Sequence, residues 1–311
     1  MKFYRNLLRS RGAEVEVMNA YCFDDNEFFA VIQAVNDTTE RRASILVRVP
    51  KDEPQKFEVL DEFDRKTVDY YAPNANLHFV QASGRHLRVI RDREMSRHSF
   101  VSYMTSLMHL AGAPQESVIV YGDEGMALHF KDGTFSPLET GLEEDLHALH
   151  VNREGLFAVG GNYGAFAMGS ADRLNPIDLG IGSRIVKLHV RDDGSVAIAL
   201  DGAPACELRG EELITFNDHP AEWFSICTYD DSELWGDSLF GMYLRRGAEF
   251  VPMCKTGYAY KMNVAGRNLV VNSAFAVRIF DGASWRTFAL QADPDQPFVE
   301  TELDFEPNWP G

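Results

Sequence analysis

Cysteine is scarce in this chain. Cys22, Cys206, Cys227 and Cys254 are its four among 311 residues, and no pair has C-x-x-C spacing. That argues against a zinc ribbon or a disulfide-stapled scaffold, and buried free thiols are the expectation. No apolar run reaches the roughly 18 residues a membrane helix needs, so no span is expected. The basic N-terminal stretch MKFYRNLLRSRG has no apolar core behind it. A secretory leader is therefore not expected, and the cytoplasm is the expected compartment. Residues 1–12 read as a helical or extended lead.

Positive charge is also short. Lys and Arg number 30 against 47 Asp and Glu, for a net charge of -17 and a pI near 4.9. Free phosphate-backbone binding needs a basic surface, so direct nucleic-acid binding is not expected. No G-x-S-x-G elbow occurs, although a spatial triad leaves no such trace. GGNYG at 160–164 lacks the Lys-Ser/Thr pair and the following helix of a phosphate loop. No Pro/Gly/Ser-rich linker interrupts the chain, so a single domain is expected.

What the chain does have is a repeat. Residues 117–139, SVIVYGDEGMALHFKDGTFSPLE, read as strand, tight turn, strand, tight turn, strand. The runs alternate with period two, and Asp-Gly marks the turns. WGDSLFGMYLRRG from Trp235 lies ungapped over YGDEGMALHFKDG. VNSAFAVRIFDG from Val271, GGNYGAFAMGSADRL from Gly160 and ALDGAPACELRGEEL from Ala199 fit the same frame. The second turns fall at Gly133, Ser170, Gly210, Gly247 and Gly282, spaced by 37, 40, 37 and 35 residues. LHALHVNREG and IVKLHVRDDG align independently.

A period of about 40 residues built from short strands is a propeller signature, because one blade cannot bury both its faces. The expectation is an all-β chain, a seven-bladed β-propeller of four-stranded antiparallel blades. The blades would span about 13–61, 67–104, 105–139, 146–180, 185–216, 223–253 and 258–290, with 291–311 a tail or closure strand. Six or eight blades stay open because the first 104 residues repeat weakly. NDTTERR in blade 1 reads as a long insertion between its second and third strands. Propellers commonly close when one terminus completes a blade begun by the other, and either terminus could do so here.

The segments VIVYGDEGMALHFKDGTF, LFAVGGNYGAFAM and LVVNSAFAVRIFDGASW resemble the BNR-like repeats of bacterial propellers. They are similar to those of photosystem assembly factors and sialidase-related propellers. The resemblance covers about 117–290 and implies the propeller fold. It implies no activity, since such repeats serve enzymes and scaffolds alike. The Ser-x-Asp-x-Gly-x-Thr-Trp box of true sialidases is not met, because FDGASW sets its aspartate too close to Trp285.

The candidate site follows from the frame. Turns between the second and third strands emerge on one face, placing Asp123, Glu124, Asn162, Tyr163, Asp201, Asp237 and Asn272 around one rim. The reading favours a protein-binding scaffold whose acidic rim meets a basic protein partner, neutralising or chaperoning it. No cofactor or membrane contact is expected, and the sequence singles out no catalytic residue. The alternative is a metal-assisted hydrolase or lyase at the channel mouth, with Ca²⁺ or Mg²⁺ on Asp123, Asp201 and Asp237. Turn chemistry also explains these residues. His150 and His189 occupy equivalent repeat positions and read as structural. His147, three residues before His150, points to the other face of a regular strand. Residues 229–233, YDDSE, read as a solvated turn. Trp223, Tyr229, Trp235 and Tyr163 fall near strand ends, where exposed aromatics would favour protein binding.

Overall fold

A computed structural model describes residues 2–10, 12–82, 85–100, 107–216, 222–238, 241–254 and 259–302. The expected blade limits at 104, 105 and 258, and the tail beyond 302, lie outside these residues. A short helix, α1 (Lys2–Leu8), leads into seven antiparallel sheets. Blade 1 comprises β1 (Glu14–Tyr21), β2 (Glu27–Asn36), β3 (Arg41–Pro50) and β4 (Glu58–Phe63). Blade 2 comprises β5 (Thr67–Asn74), β6 (Leu77–Ala82), β7 (His86–Arg91) and β8 (Glu94–Ser99). Blade 3 comprises β9 (Leu107–Ala113), β10 (Ser117–Gly122), β11 (Ala127–Lys131) and β12 (Thr134–Pro137). Blade 4 comprises β13 (Leu146–Val151), β14 (Phe157–Gly161), β15 (Phe166–Ser170) and β16 (Arg173–Pro176). Blade 5 comprises β17 (Ile185–Val190), β18 (Val196–Leu200), β19 (Cys206–Arg209) and β20 (Glu212–Thr215). Blade 6 comprises β21 (Trp223–Tyr229), β22 (Ser232–Asp237), β23 (Met242–Arg246) and β24 (Glu249–Cys254). Blade 7 comprises β25 (Lys261–Ala265), β26 (Asn268–Asn272), β27 (Ala276–Phe280), β28 (Trp285–Leu290) and a fifth strand, β29 (Phe298–Thr301).

The expected seven-bladed propeller is therefore the fold. The first strand of each blade is innermost, and each touches the next around the ring, with β25 returning to β1. Turn chemistry sets the hairpins. Asp132 and Gly133 both hold positive φ, the geometry of a two-residue hairpin loop, and Gly carries it at no steric cost. Second strands are buried on both faces: every residue of β6, β10, β14, β18 and β26 is buried. Their faces meet the adjacent blades. Ala148 and Phe166 of blade 4 pack with Leu188, Ile198 and Leu208 of blade 5. Val31 and Leu46 of blade 1 pack with Tyr70, Val80 and Ile90 of blade 2. The ring thus buries what one blade could not.

Two expectations change. NDTTERR is not an inserted loop: β2 and β3 continue through it, with Val35 opposite Arg42 and Asn36 opposite Arg41. Only residues 37–40 turn, and Asn36 Oδ1 accepts the Thr39 N–H at 3.1 Å. Nor, among the described residues, does either terminus complete the other's blade. Every blade is contiguous in sequence, and β29 pairs with β28 of its own blade. The ring closes through side chains. Tyr4 and Leu7 of α1, Phe28 and Val47 of blade 1, and Phe288 and Phe298 of blade 7 share one buried cluster. The Val17 N–H also donates to the Ala274 carbonyl at 2.8 Å. Among the described residues no helix is long and apolar enough to cross a membrane. Cys22, Cys206 and Cys227 are buried free thiols, as expected.

Candidate functional site

The ring has two faces. One carries the turns between first and second and between third and fourth strands: the hairpin face. The other carries the second-to-third-strand turns and the blade-to-blade connections: the crossover face. The predicted rim belongs to the crossover face, and its blade 3 to 4 sector is welded together by the backbone.

Gly125 is the weld. Its N–H donates to the Glu144 carbonyl at 2.8 Å, and its carbonyl accepts from Thr140 Oγ1 at 2.8 Å. Its φ is +66°, and a Cβ there would lie 1.8 Å from the Leu142 carbonyl oxygen, so only glycine fits. This contact sets Asp123 and Glu124 beside Glu143, Glu144 and Asp145. Asp145 Oδ1 accepts the Glu124 N–H at 3.0 Å, and its carbonyl accepts the Asn162 N–H at 3.0 Å. Asn162 Nδ2 donates to Asp145 Oδ2, which turns Asn162 Oδ1 toward His147 Nε2–H at 2.9 Å. Next to it stands Tyr163, 80% exposed with φ of +56°. A left-handed tyrosine costs about 1 kcal/mol or more, and such strain clusters at functional positions.

The structure thus brings together Asp123, Glu124, Asn162 and Tyr163. It separates the others. Asp201 lies in blade 5 and pairs with Arg184 at 2.6 Å. Asp237 and Asn272 are buried. Ala259 and Tyr260, just before β25, bond to their backbone, with the Ala259 N–H on the Asp237 carbonyl and the Tyr260 N–H on that of Asn272. Asp237 Oδ1 also accepts the Gly241 N–H at 2.8 Å. Among the described residues no three His, Cys, Asp or Glu side chains converge as a metal site.

Exposed aromatics also favour the crossover face. Phe275 sits in the turn between β26 and β27 and is 66% exposed. Phe224 at the start of β21 meets Tyr260 edge-on at 5.3 Å, and both are exposed. Trp223, Tyr229 and Trp235, by contrast, are buried. Trp223 and Trp235 contact each other edge-on at 5.1 Å.

The central channel is a second feature, with a cavity of about 1590 Å³. It opens on the hairpin face, since Asn152, Arg191, Asp230, Asp231 and Gly266 line it. Deeper down lies a polar girdle. Asn19, Asp69, Lys187 and Ser225 line the cavity, and each follows a one-residue slip in the pairing of the innermost strand with its neighbour. They therefore hold one level of the channel. Asp69 accepts the Tyr70 N–H at 2.9 Å, the Leu110 N–H at 3.0 Å and Lys261 Nζ at 2.8 Å. Burial opposes its ionisation, but the Lys261 charge and these hydrogen bonds outweigh that and hold its carboxyl below the usual range. Burial, reinforced by the Lys261 charge and partly offset by Asp69, pulls Lys187 down to about 8. Burial likewise brings His109 and His189 to about 4, so both are neutral at pH 7. The His150 and His189 rings lie 4.6 Å apart, tilted by 55°, while the His147 ring meets that of His109 of the preceding blade edge-on.

The sequence reading passed over Asp69, His109, Lys187 and Lys261. The available signal was a charged residue inside an otherwise apolar innermost strand, as in IVKLHV and TVDYYA.

No family model and no curated protein matches this chain. Solved structures do. YCF48 bound to a D1 peptide aligns with a TM-score of 0.60 at 11% identity, over 85% of this chain and 93% of that one. YCF48 from Cyanidioschyzon merolae aligns with a TM-score of 0.54 at 10% identity, over 73% and 94%. The WD40 propeller domain of Doa1 aligns with a TM-score of 0.66 at 12% identity, over 88% and 95%. At these identities the likeness is one of fold. It agrees with the repeat-level resemblance to photosystem assembly factors.

Proposed function

We propose that this propeller is a protein-interaction module that receives a basic segment of a partner on its crossover face. The observation that carries this reading is Tyr163, an exposed aromatic held in left-handed backbone beside Asp123, Glu124 and Asp145. Aromatics are enriched in protein interfaces, and a tyrosine face attracts a Lys or Arg side chain. The acidic neighbours add long-range attraction and speed encounter with a positive surface. A propeller of the same fold has been solved with a peptide bound. On this reading the module neutralises or chaperones its partner.

The test uses Lys/Arg-rich and Asp/Glu-rich peptide arrays, with the full chain as probe at physiological and high salt. Basic peptides should be retained and then released by salt. Tyr163→Gly and the pair Asp123→Lys, Glu124→Lys should each abolish retention. Retention of acidic peptides, or basic binding unchanged in both variants, would overturn the proposal.

A further inference from the structure

We propose that the central channel is a binding site for a small organic monocarboxylate, whose charged group sits on Lys187. The site is distinct from the crossover-face surface and opens on the opposite side of the ring.

Three observations carry the assignment. The cavity, about 1590 Å³, exceeds what a small ligand fills, and its floor is a built polar girdle rather than a smooth apolar wall. The charges in that girdle do not balance. Asp69 is held by Lys261 and by two backbone N–H groups, so its one negative charge is matched by that ammonium. Lys187 has no hydrogen-bond or ion-pair partner among the described residues, yet it lines the cavity half-buried. With the girdle histidines neutral, Lys187 leaves a single positive charge unmatched. A half-buried ammonium without a partner is costly, and an incoming anion relieves that cost.

Two histidines stand near Lys187. His150 Nδ1 accepts the Val190 N–H at 3.1 Å, which puts the neutral ring's proton on Nε2. His189 is buried and lines the cavity; its Nε2 meets Thr228 Oγ1 at 2.8 Å and its Nδ1 has no partner. Lys187 and His189 are two residues apart on β17 and so share one strand face.

The chemical class follows from the charge and the walls. One net positive charge matches a carboxylate and leaves half of a phosphate dianion uncompensated. The arginines of the lining do not change this: Arg191 and Arg245 are paired with Glu207 and Glu233, and Arg153 and Arg246 stand at the hairpin-face mouth among Asp192, Asp230 and Asp231. Tyr21, Tyr71, Leu110 and Ile226 line it too and offer an apolar resting place for the ligand's body.

The experiment is calorimetric titration of the full chain with benzoate, butyrate, neutral benzamide and inorganic phosphate. Benzoate or butyrate should bind, and benzamide should bind at least about tenfold more weakly than benzoate, the discrimination expected of a charged hydrogen bond. Lys187→Met and Lys187→Gln should both lose carboxylate binding while unfolding at or above the wild-type midpoint, because each removes an unpartnered ammonium. Affinity should fall as pH rises past about 8. Phosphate binding without carboxylate binding, equal affinity for benzamide and benzoate, unchanged binding in both variants, or no carboxylate binding would each overturn the proposal. None of these outcomes bears on the peptide test of the crossover face.

Discussion

Single side chains in this propeller hold states that the free residue would not. Tyr163 adopts a left-handed backbone that glycine takes without penalty. Tyr163→Gly should therefore stabilise the fold by about 1 kcal/mol, read as a higher urea midpoint, while removing the proposed partner contact. Gain of stability with loss of binding is the signature of a strained functional residue, and a destabilised variant would contradict it. The histidines make a second prediction. Burial lowers His78, His109 and His189 to about 4. Unfolded, each protonates near 6.5, so between about 6.5 and 4 the unfolded chain binds more protons. Stability should be fully present above pH 6.5 and fall by up to about 1.4 kcal/mol per histidine per pH unit below it. His189→Asn should flatten that slope, as read from urea midpoints between pH 7 and 4.5. These roles were only partly legible. The sequence put Asp237 and Asn272 on the rim because both residues suit turns, but it could not show that both are buried, with Ala259 and Tyr260 bonded to their backbone. It showed the strand holding Lys187 but not the side that residue faces. The slips between Ile185 and Lys187 and between Thr67 and Asp69 decide that, and a one-residue shift exchanges the two faces of a strand.

At the scale of elements, the hydrophobic frame was plain in the sequence, and the polar joints between blades were not. Periodicity and Asp-Gly turns marked the hairpins because those signals are local. The joint between blades 5 and 6 is made of residues far apart in the chain. Glu207 of β19, 1% exposed, meets Arg191 at 2.9 Å and Arg209 at 2.8 Å, and it also pairs with Arg245 of β23. Glu233 of β22 meets Arg191 and Arg245 in turn. Arg245 also lies over the Phe216 ring at 4.4 Å. Burial pushes both carboxyls up, but the arginine hydrogen bonds and charges outweigh it and hold both below the usual carboxylate range. Their contribution is thus present above the ordinary carboxylate range and lost as the pH falls through the lowered values. Glu207→Ala leaves Arg191 and Arg245 short of a buried counter-charge. It should cost about 3–5 kcal/mol in urea unfolding at pH 7. Loss of less than about 1 kcal/mol would mean that water and Glu233 replace it.

For the molecule as a whole, the question is how a ring with no shared blade stays shut. In most of the ring, adjacent blades are joined by a short covalent connection as well as by packing. Blade 7 and blade 1 are joined by packing, by the Val17 to Ala274 backbone bond, by Asn263 Nδ2 donating to Asn19 Oδ1 at 2.6 Å and to the Ala20 carbonyl at 2.7 Å, and by surface ion pairs such as Arg267 with Asp25 and Arg286 with Asp52. Exposed pairs of this kind contribute little. The seam therefore rests on those Asn263 bonds and on its buried cluster, which draws on α1 and on the extra strand β29. Phe298 is the central piece. It is fully buried, 5.2 Å from the Phe28 ring, and Phe28 in turn lies 4.8 Å from Phe288. That explains the fifth strand: β29 brings Phe298 to the seam as an apolar key where another propeller would share a strand. Phe298→Ala should cost about 3–5 kcal/mol. Because the ring can open at one joint while its other blades stay stacked, the loss should be local first. Hydrogen exchange should then speed up in β1, β2, β26 and β27 before β10, β14 and β18. Uniform acceleration across all seven blades would show instead that the ring unfolds as one unit and that the seam is no weaker than the other joints.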